Sequence, residues 1–336
     1  MTPDLARWIA SSRRSRAWHD WRWQVRHALD DRALARHGLL PPAARAAARA
    51  WPARVTPYFL SLSCGPDRSG PCGPLLAQWL PAAAELAGAG RADPFDEARR
   101  APAPGVVQRF PDRVLVRVSR VCAVQCRHCT RRHTLLRTAV AGVRDLPALL
   151  AFLRARPAVR EAILSGGDPL LLADAALLRL VRALAALPQL DAIRIGTRAP
   201  VTLPMRVTPA LARGLSACRR VWVNTQFNHV REITPESAAA CGRLVDAGIP
   251  VSNQAVLLRG VNDSVDAMVA LCAGLQRIRV RPYYVFVCDP VAGTAHLRVG
   301  RRRARAIAAG VAARLGGLAV PRFVLDVPGA PGKVAV

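Results

Sequence analysis

The sequence predicts an α/β fold, a partial (β/α)6 barrel with an N-terminal, mostly helical accessory region. Three observations carry that expectation. From residue 113 onward six short β-branched runs recur. Amphipathic stretches of helical period lie between them, and this alternation means a parallel sheet with helices on its faces. Before about residue 105 the alternation is missing and Ala/Arg-rich helical runs dominate. At 336 residues and 51% apolar, the chain has enough material for one large α/β domain or two ordinary ones.

In chain order, "ALDDRALARHG" and "PPAARAAARAWPA" read as helices, and "CGPDRSGPCGP" breaks the pattern. Residues 1–105 are expected to form the accessory region and 106–336 the barrel with a C-terminal lysine segment. The strands are "RVLVRVS", "EAILSGG", "DAIRIGTR", "VWVNTQFN", "PVSNQAVLL" and "RPYYVFV". The helices between them are "LPALLAFLRAR", "AALLRLVRALAAL", "PALARGLSA", "PESAAACGRLVDAG" and "DAMVALCAGLQRI". In such a fold, function belongs at the strand C-termini. The most apolar stretch, "LLLADAALLRLVRALAAL", is interrupted by Asp174, Arg179 and Arg182, so no membrane span is expected. The start, "MTPDLARWIASSRRSR", lacks an apolar core followed by a cleavage site, which points to a cytoplasmic setting.

The formal charge of +27 invites a nucleic-acid reading. The arginines are spread along the chain, with "SSRRSR" and "GRRRAR" as local clusters, and lysine is almost absent. That pattern reads as biased composition more than as a binding face, so nucleic acid is not the expected partner. The alternative is an iron–sulfur, RNA-modifying or RNA-binding protein, which would bind RNA in a salt-dependent way. Of nine cysteines, Cys64, Cys72, Cys218, Cys241, Cys272 and Cys288 read as small buried apolar side chains.

Cys122, Cys126 and Cys129 are different. In "RVSRVCAVQCRHCTRRH" they form C-x3-C-x2-C just after the first barrel strand. Three thiolates so close together can hold a [4Fe-4S] cluster by three irons and leave the fourth iron open for chemistry. Zinc fits less well, because a structural site wants four ligands and His128 and His133 have no second knuckle. The single lysine, Lys333, stands in "DVPGAPGK" near the end of a chain with 48 arginines. A primary amine can lose its proton and act as a nucleophile, whereas a guanidinium stays charged.

The cysteine spacing resembles that of the radical S-adenosylmethionine superfamily, with "LSGGDPLL" in the place of its glycine-rich segment. That resemblance implies contacts to S-adenosylmethionine from Ser165, Gly166, Gly167 and Asp168. Ten ordered stretches, among them "WHDWRWQVRHAL", "FPDRVLVRVS", "CRHCTRR", "RIGTRAPVTLP", "GIPVSNQAVLLRGVND" and "DVPGAPGK", narrow it to the lysine 2,3-aminomutase family. The chain then resembles an isomerase that moves the α-amino group of L-lysine to the β-carbon, working with a [4Fe-4S] cluster, S-adenosylmethionine and pyridoxal phosphate. The same resemblance implies an imine at Lys333 and a grip by Arg131 on the α-carboxylate, with Arg132 second. Asp289 and Asp326 would receive the distal ammonium, and Arg109, Arg113 and Gln254 would touch pyridoxal phosphate.

A reductant such as flavodoxin or ferredoxin, an amino-acid substrate and possible homodimers complete the implied partners. Three positions depart from the family: phenylalanines at 110 and 286 where tyrosines are expected, and Gln226 in place of histidine. The sequence stops soon after Lys333, so the longer segment that in some family members carries intersubunit zinc ligands is not expected. In this it resembles the short branch that makes β-lysine for elongation factor P. Another basic or modified amino acid is the alternative substrate.

Overall fold

The computed structural model describes residues 2–64, 72–142 and 145–336, so residues 65–71 of the "CGPDRSGPCGP" break lie outside the described residues. In the N-terminal region, two short strands, β1 (Leu29–Asp30) and β2 (Arg54–Val55), pair antiparallel. The main sheet consists of β3 (Val106–Phe110), β4 (Arg113–Ser119), β5 (Glu161–Gly166), β6 (Ala192–Gly196), β7 (Val221–Thr225), β8 (Val251–Leu257), β9 (Arg281–Val287), β10 (Arg322–Leu325) and β11 (Val334–Ala335). Its nine strands lie in sequential order, with β3 and β11 at the edges. Strands β4 to β10 run parallel, while β3 returns antiparallel on β4 and β11 on β10.

The six expected strands are β4 to β9. Strands β3, β10 and β11 were not foreseen: β10 and β11 are runs of four and two residues, too short to show alternation, and β3 lies ahead of the region where strand–helix units recur. Between β4 and β10 the connections carry the expected helices: Leu146–Arg154, Asp174–Ala185, Pro209–Ser216, Pro235–Asp246 and Val265–Arg277. A further helix, Arg301–Ala312, contains most of "GRRRAR"; it buries Ala304, Ile307 and Val311 and leaves Arg301, Arg302, Arg303 and Arg305 in solvent.

Strand alternation separates core from cavity. Ala162, Leu164, Ile193, Ile195, Val221, Val223 and Val285 point outward, where they join the helix residues Leu177, Leu184, Leu211, Leu244 and Leu271 in one buried core. The residues between them, Ile163, Ser165, Arg194, Gly196, Asn224, Tyr284 and Phe286, line a central cavity. Helix ends are fixed locally. At Pro235–Asp246, Thr234 Oγ1 accepts the Ser237 N–H at 3.1 Å, Ser237 Oγ accepts the Thr234 N–H at 2.8 Å, and proline opens the first turn. Such a cap contributes about 1 kcal/mol.

The N-terminal region packs on the barrel through the same contiguous core, which includes Leu5, Ile9, Trp18, Tyr58 and Phe59. Polar ties fix its seating. Tyr58 OH lies 2.6 Å from Thr234 Oγ1, Thr56 Oγ1 donates to the Thr202 carbonyl at 2.8 Å, and Trp51 Nε1 donates to the Cys126 carbonyl at 3.3 Å. Part of the arginine excess is used internally: Arg127 and Arg132 share Glu85, Arg131 and Arg117 share Glu97, and Arg198 pairs with Glu232. Among the described residues no helix is long and apolar enough to cross a membrane.

Candidate active site

The C-terminal ends of the parallel strands open into a cavity of about 450 Å³. Fourteen of the residues singled out for cofactor, substrate or metal contact line it, all but Arg132: Arg109, Arg113, Cys122, Cys126, Cys129, Arg131, Ser165, Gly166, Gly167, Asp168, Gln254, Asp289, Asp326 and Lys333. They come from both edges of the sheet and from most strands between.

The cysteine loop leaves β4 and is pressed against the loop after β5. A Cβ on Gly166, whose φ is +116°, would sit 2.4 Å from the Ser119 carbonyl oxygen, and one on Gly167 2.5 Å from that of Val121. Both positions therefore demand glycine for packing on the cysteine loop itself, before any cofactor is considered. Asp168 is buried, and both its oxygens are already engaged: Oδ1 accepts from the Leu170 N–H at 2.9 Å and Thr197 Oγ1 at 2.6 Å, and Oδ2 from the Arg198 N–H at 2.9 Å. Asp168, expected as a cofactor contact, lines the cavity and also braces the glycine loop against the one after β6. Burial raises its pKa, and these donors oppose the rise.

Cys126 Sγ accepts from Arg198 Nη1 at 2.8 Å, and Arg198 is held in turn by Glu232 at 2.8 Å and by Gln78. Burial, then the neighbouring thiols, pushes Cys122 up, and burial pushes Cys129 up to about 11, so cluster assembly must release protons. Among the described residues no group of three His, Cys, Asp or Glu side chains is gathered around a single ion. A cubane spaces its thiolates more widely than one ion does, so this concerns mononuclear sites. His128, beside Cys129, has its pKa pushed down to about 3 by burial and then by Arg198. Its Nε2 lies 3.2 Å from the Gln226 amide nitrogen and accepts from it, which leaves Nδ1 protonated, buried and without a partner.

Arg131 is fixed by Glu97 through Nε at 2.9 Å and Nη2 at 2.6 Å, and its Nη1 donates to Ser165 Oγ at 3.2 Å. The guanidinium is held in one orientation at the cavity wall. Arg132 does not reach the cavity: it is buried on Glu85 at 2.5 Å and on the carbonyls of Arg127 and Gly293, so its claim on a substrate carboxylate is withdrawn.

Across the sheet opening, Asp326 binds Arg109 through two hydrogen bonds of 2.8 and 3.1 Å and also accepts from Lys333 Nζ. Arg109, expected at pyridoxal phosphate, thus directs both Nη groups at Asp326. Burial pushes Asp326 upward, but the hydrogen bond from Arg109 and the Lys333 charge outweigh it and hold the carboxyl below its usual range. Asp289 is the opposite case. Burial and then the Asp326 charge push it up to about 7, with Lys333 and Arg109 opposing.

The Phe286 ring lies 5.3 Å below Lys333 Nζ, and the Phe110 ring 4.4 Å from the Arg113 guanidinium. Where tyrosines were expected, the ring faces still meet cations. Sequence reasoning missed Glu97, Arg198 and Arg194. Arg194 lines the cavity, pairs with Glu161 at 2.6 Å, and keeps a buried Nε without a partner. Its signal was available, two residues before Gly196 on the inward face of β6. Glu97 carries none, since it lies outside every strand–helix unit.

The donors fit the cofactors the resemblance implies. Three thiols face one cavity. Among the described residues, His128 Nδ1, Arg194 Nε and Thr225 Oγ1 are buried on its wall without a hydrogen-bond partner. Lys333 brings the only amine side chain, and Arg113, Arg194 and Gln254 bring donors suited to a phosphate.

Residues 116–272 match the Radical SAM superfamily. The L-lysine 2,3-aminomutase of Clostridium subterminale is 40% identical over 333 residues, covering 95% of this chain and 78% of that protein. The L-lysine 2,3-aminomutase of Acetoanaerobium sticklandii is 40% identical over 327 residues, with the same coverage. The glutamate 2,3-aminomutase of Clostridioides difficile is 34% identical over 287 residues, covering 83% of this chain and 66% of that protein. The chain belongs to the lysine 2,3-aminomutase family of radical S-adenosylmethionine enzymes.

Proposed function

We propose that this chain converts L-lysine to β-lysine by moving the α-amino group to the β-carbon. The observation that carries the substrate is the pair Asp289 and Asp326 beside Lys333, facing a cavity whose cysteine side presents Arg131. A guanidinium suits the α-carboxylate and two carboxylates suit a distal ammonium. With Lys333 committed to pyridoxal phosphate, the group Asp289, Asp326 and Arg109 would carry one excess negative charge when both acids are ionised, which the ammonium would balance.

Cys122, Cys126 and Cys129 would hold the [4Fe-4S] cluster, the 165–168 loop and His128 would flank S-adenosylmethionine, and Lys333, Arg113, Gln254 and Arg194 would hold pyridoxal phosphate. When bound, these groups supply the hydrogen abstraction and the carbonyl that carries the migrating nitrogen. The chain's own residues bind and orient. Glu97 and Ser165 hold Arg131 in one pose, Asp289 releases its proton as the ammonium arrives, and the packed glycine loop keeps water from the cysteine side. We also read residues 1–105 as an accessory region closing the cluster end of a barrel formed by 106–336, supported by the Trp51–Cys126 tie and by the Arg127 Nη1 donation to the Trp51 carbonyl at 2.8 Å. A cytoplasmic, reducing setting suits three free thiols.

The test is anaerobic. Protein reconstituted with iron and sulfide is incubated with pyridoxal phosphate, S-adenosylmethionine, reductant and L-lysine, and derivatised products are read by mass spectrometry. β-Lysine is the expected product. If 5'-deoxyadenosine forms without β-lysine, the substrate assignment fails; L-arginine and L-glutamate, run in parallel, then show which tail the carboxylates accept.

A further inference from the structure

Residues 113–144 contain eight arginines and neither Asp nor Glu. Four of them are buried on two carboxylates, Arg117 and Arg131 sharing Glu97 and Arg127 and Arg132 sharing Glu85. Arg120 and Arg137 are exposed, and among the described residues neither enters an ion pair. Arg120 Nε donates to the Thr138 carbonyl at 2.8 Å, which draws 136–138 beside 120–121. Two cations therefore accompany two exposed apolar side chains, Val121 at 49% and Leu136 at 58% exposure. Val121 is rigidly held: its carbonyl accepts from the Asp168 N–H at 2.8 Å, and its own N–H donates to Ser119 Oγ at 3.1 Å. The next residue is Cys122, whose thiol lines the central cavity. An exposed side chain, Val121, thus directly precedes a cluster ligand in the chain.

We propose that Arg120, Val121, Leu136 and Arg137 form the docking surface for an acidic one-electron carrier protein that reduces the cluster. The inference rests on the cluster assignment above. Electron transfer weakens steeply with distance, so entry belongs beside a cluster ligand. Opposite charge steers the encounter, and a small apolar centre with a charged rim suits a partner that must leave after one electron. With a flavodoxin as carrier, the anionic flavin hydroquinone becomes the neutral semiquinone without a change in protons, and its electron takes [4Fe-4S] from the 2+ to the 1+ state.

The experiment mixes the reconstituted full-length protein anaerobically with photoreduced flavodoxin. Cluster reduction is followed by loss of visible absorbance and by rapid-freeze electron paramagnetic resonance, with dithionite as the small reductant. In the wild type, the flavodoxin rate should fall about tenfold between roughly 50 and 300 mM salt. The double variant Arg120→Glu, Arg137→Glu should be reduced by flavodoxin about tenfold more slowly at low salt, with an unchanged dithionite rate.

A salt-independent wild-type rate, or a double variant reduced as fast as wild type, overturns the proposal. Should the double variant incorporate less iron, the single variants Arg120→Gln and Arg137→Gln decide, each expected to lose about threefold with flavodoxin alone. An RNA oligonucleotide that binds wild type but not the double variant, without slowing reduction by flavodoxin, also overturns it. Lysine turnover plays no part in these readouts, so a failed β-lysine assay leaves them intact.

Discussion

Arg109 and Asp326 join the two ends of an open sheet: Arg109 lies on the edge strand β3, Asp326 follows β10, and two hydrogen bonds of 2.8 and 3.1 Å connect them where no strand pairing does. Both side chains are largely buried, with 15% and 10% exposure. Removing one partner would leave a buried charge that is only partly compensated, at a cost of about 3 kcal/mol. Arg109→Met is therefore expected to lower the urea midpoint of the cofactor-free protein. Because the folded pKa of Asp326 is depressed, the stability it contributes is present above its unfolded value and is lost as pH falls through the folded one. The difference between Arg109→Met and wild type should accordingly shrink below about pH 4. A constant difference from pH 7 to pH 3 would show that Asp326 is not the partner that matters.

Asp289 works in the other direction. With a folded pKa pushed up to about 7 against an ordinary 3.8, it holds its proton where the unfolded chain has lost it, so its contribution favours the fold below about pH 4 and is lost as pH rises toward 7. Asp289→Asn should stabilise the cofactor-free protein at pH 8, by at most about 4 kcal/mol, and leave it unchanged at pH 4. In the working enzyme the same titration reads as affinity: KM for lysine should fall as pH rises from 6 to 8, because the ammonium binds the ionised form. Asp289→Asn should abolish lysine turnover, and undiminished turnover would remove Asp289 from the substrate site.

Gly166→Ala and Gly167→Ala test the contact between the glycine and cysteine loops. Each Cβ would land within 2.5 Å of a backbone oxygen of the segment entering the cysteine loop. Backbone cannot swing away as a side chain can, so either change should cost about 1–3 kcal/mol and displace Cys122. Iron bound per chain after reconstitution should drop by more than half. Full iron content with lost turnover would instead mean that the glycines serve S-adenosylmethionine alone.

Much of this was legible in the sequence because period and spacing are local. Strands β4 to β9 and their helices follow from alternation, and Cys122, Cys126, Cys129 and Lys333 from what thiols and a lone amine can do. The closing elements were not legible. Strands β10 and β11 are too short to show alternation, and β3 and β11 are held by the adjacent strands β4 and β10. Side-chain partners were hidden because they lie far apart in sequence: Glu97 reaches Arg131 across 34 residues and Asp326 reaches Arg109 across 217. Gln226, which stands where a histidine is expected, places its amide on His128 and sets the tautomer of that ring.

Lys333→Arg separates charge from nucleophile. An arginine keeps the positive charge next to Asp326 and Phe286, so the cofactor-free variant should melt within about 0.5 kcal/mol of wild type, as partly exposed ion pairs tolerate such exchange. It cannot form an imine, because a guanidinium stays protonated at any ordinary pH. The variant should therefore lose the absorbance of bound pyridoxal phosphate and all β-lysine formation, while retaining iron and slow, uncoupled cleavage of S-adenosylmethionine. Iron and cleavage report Cys122, Cys126, Cys129 and the 165–168 loop; absorbance and product report Lys333. If the variant keeps the pyridoxal phosphate absorbance and still makes β-lysine, the sole lysine of the chain is not the imine residue.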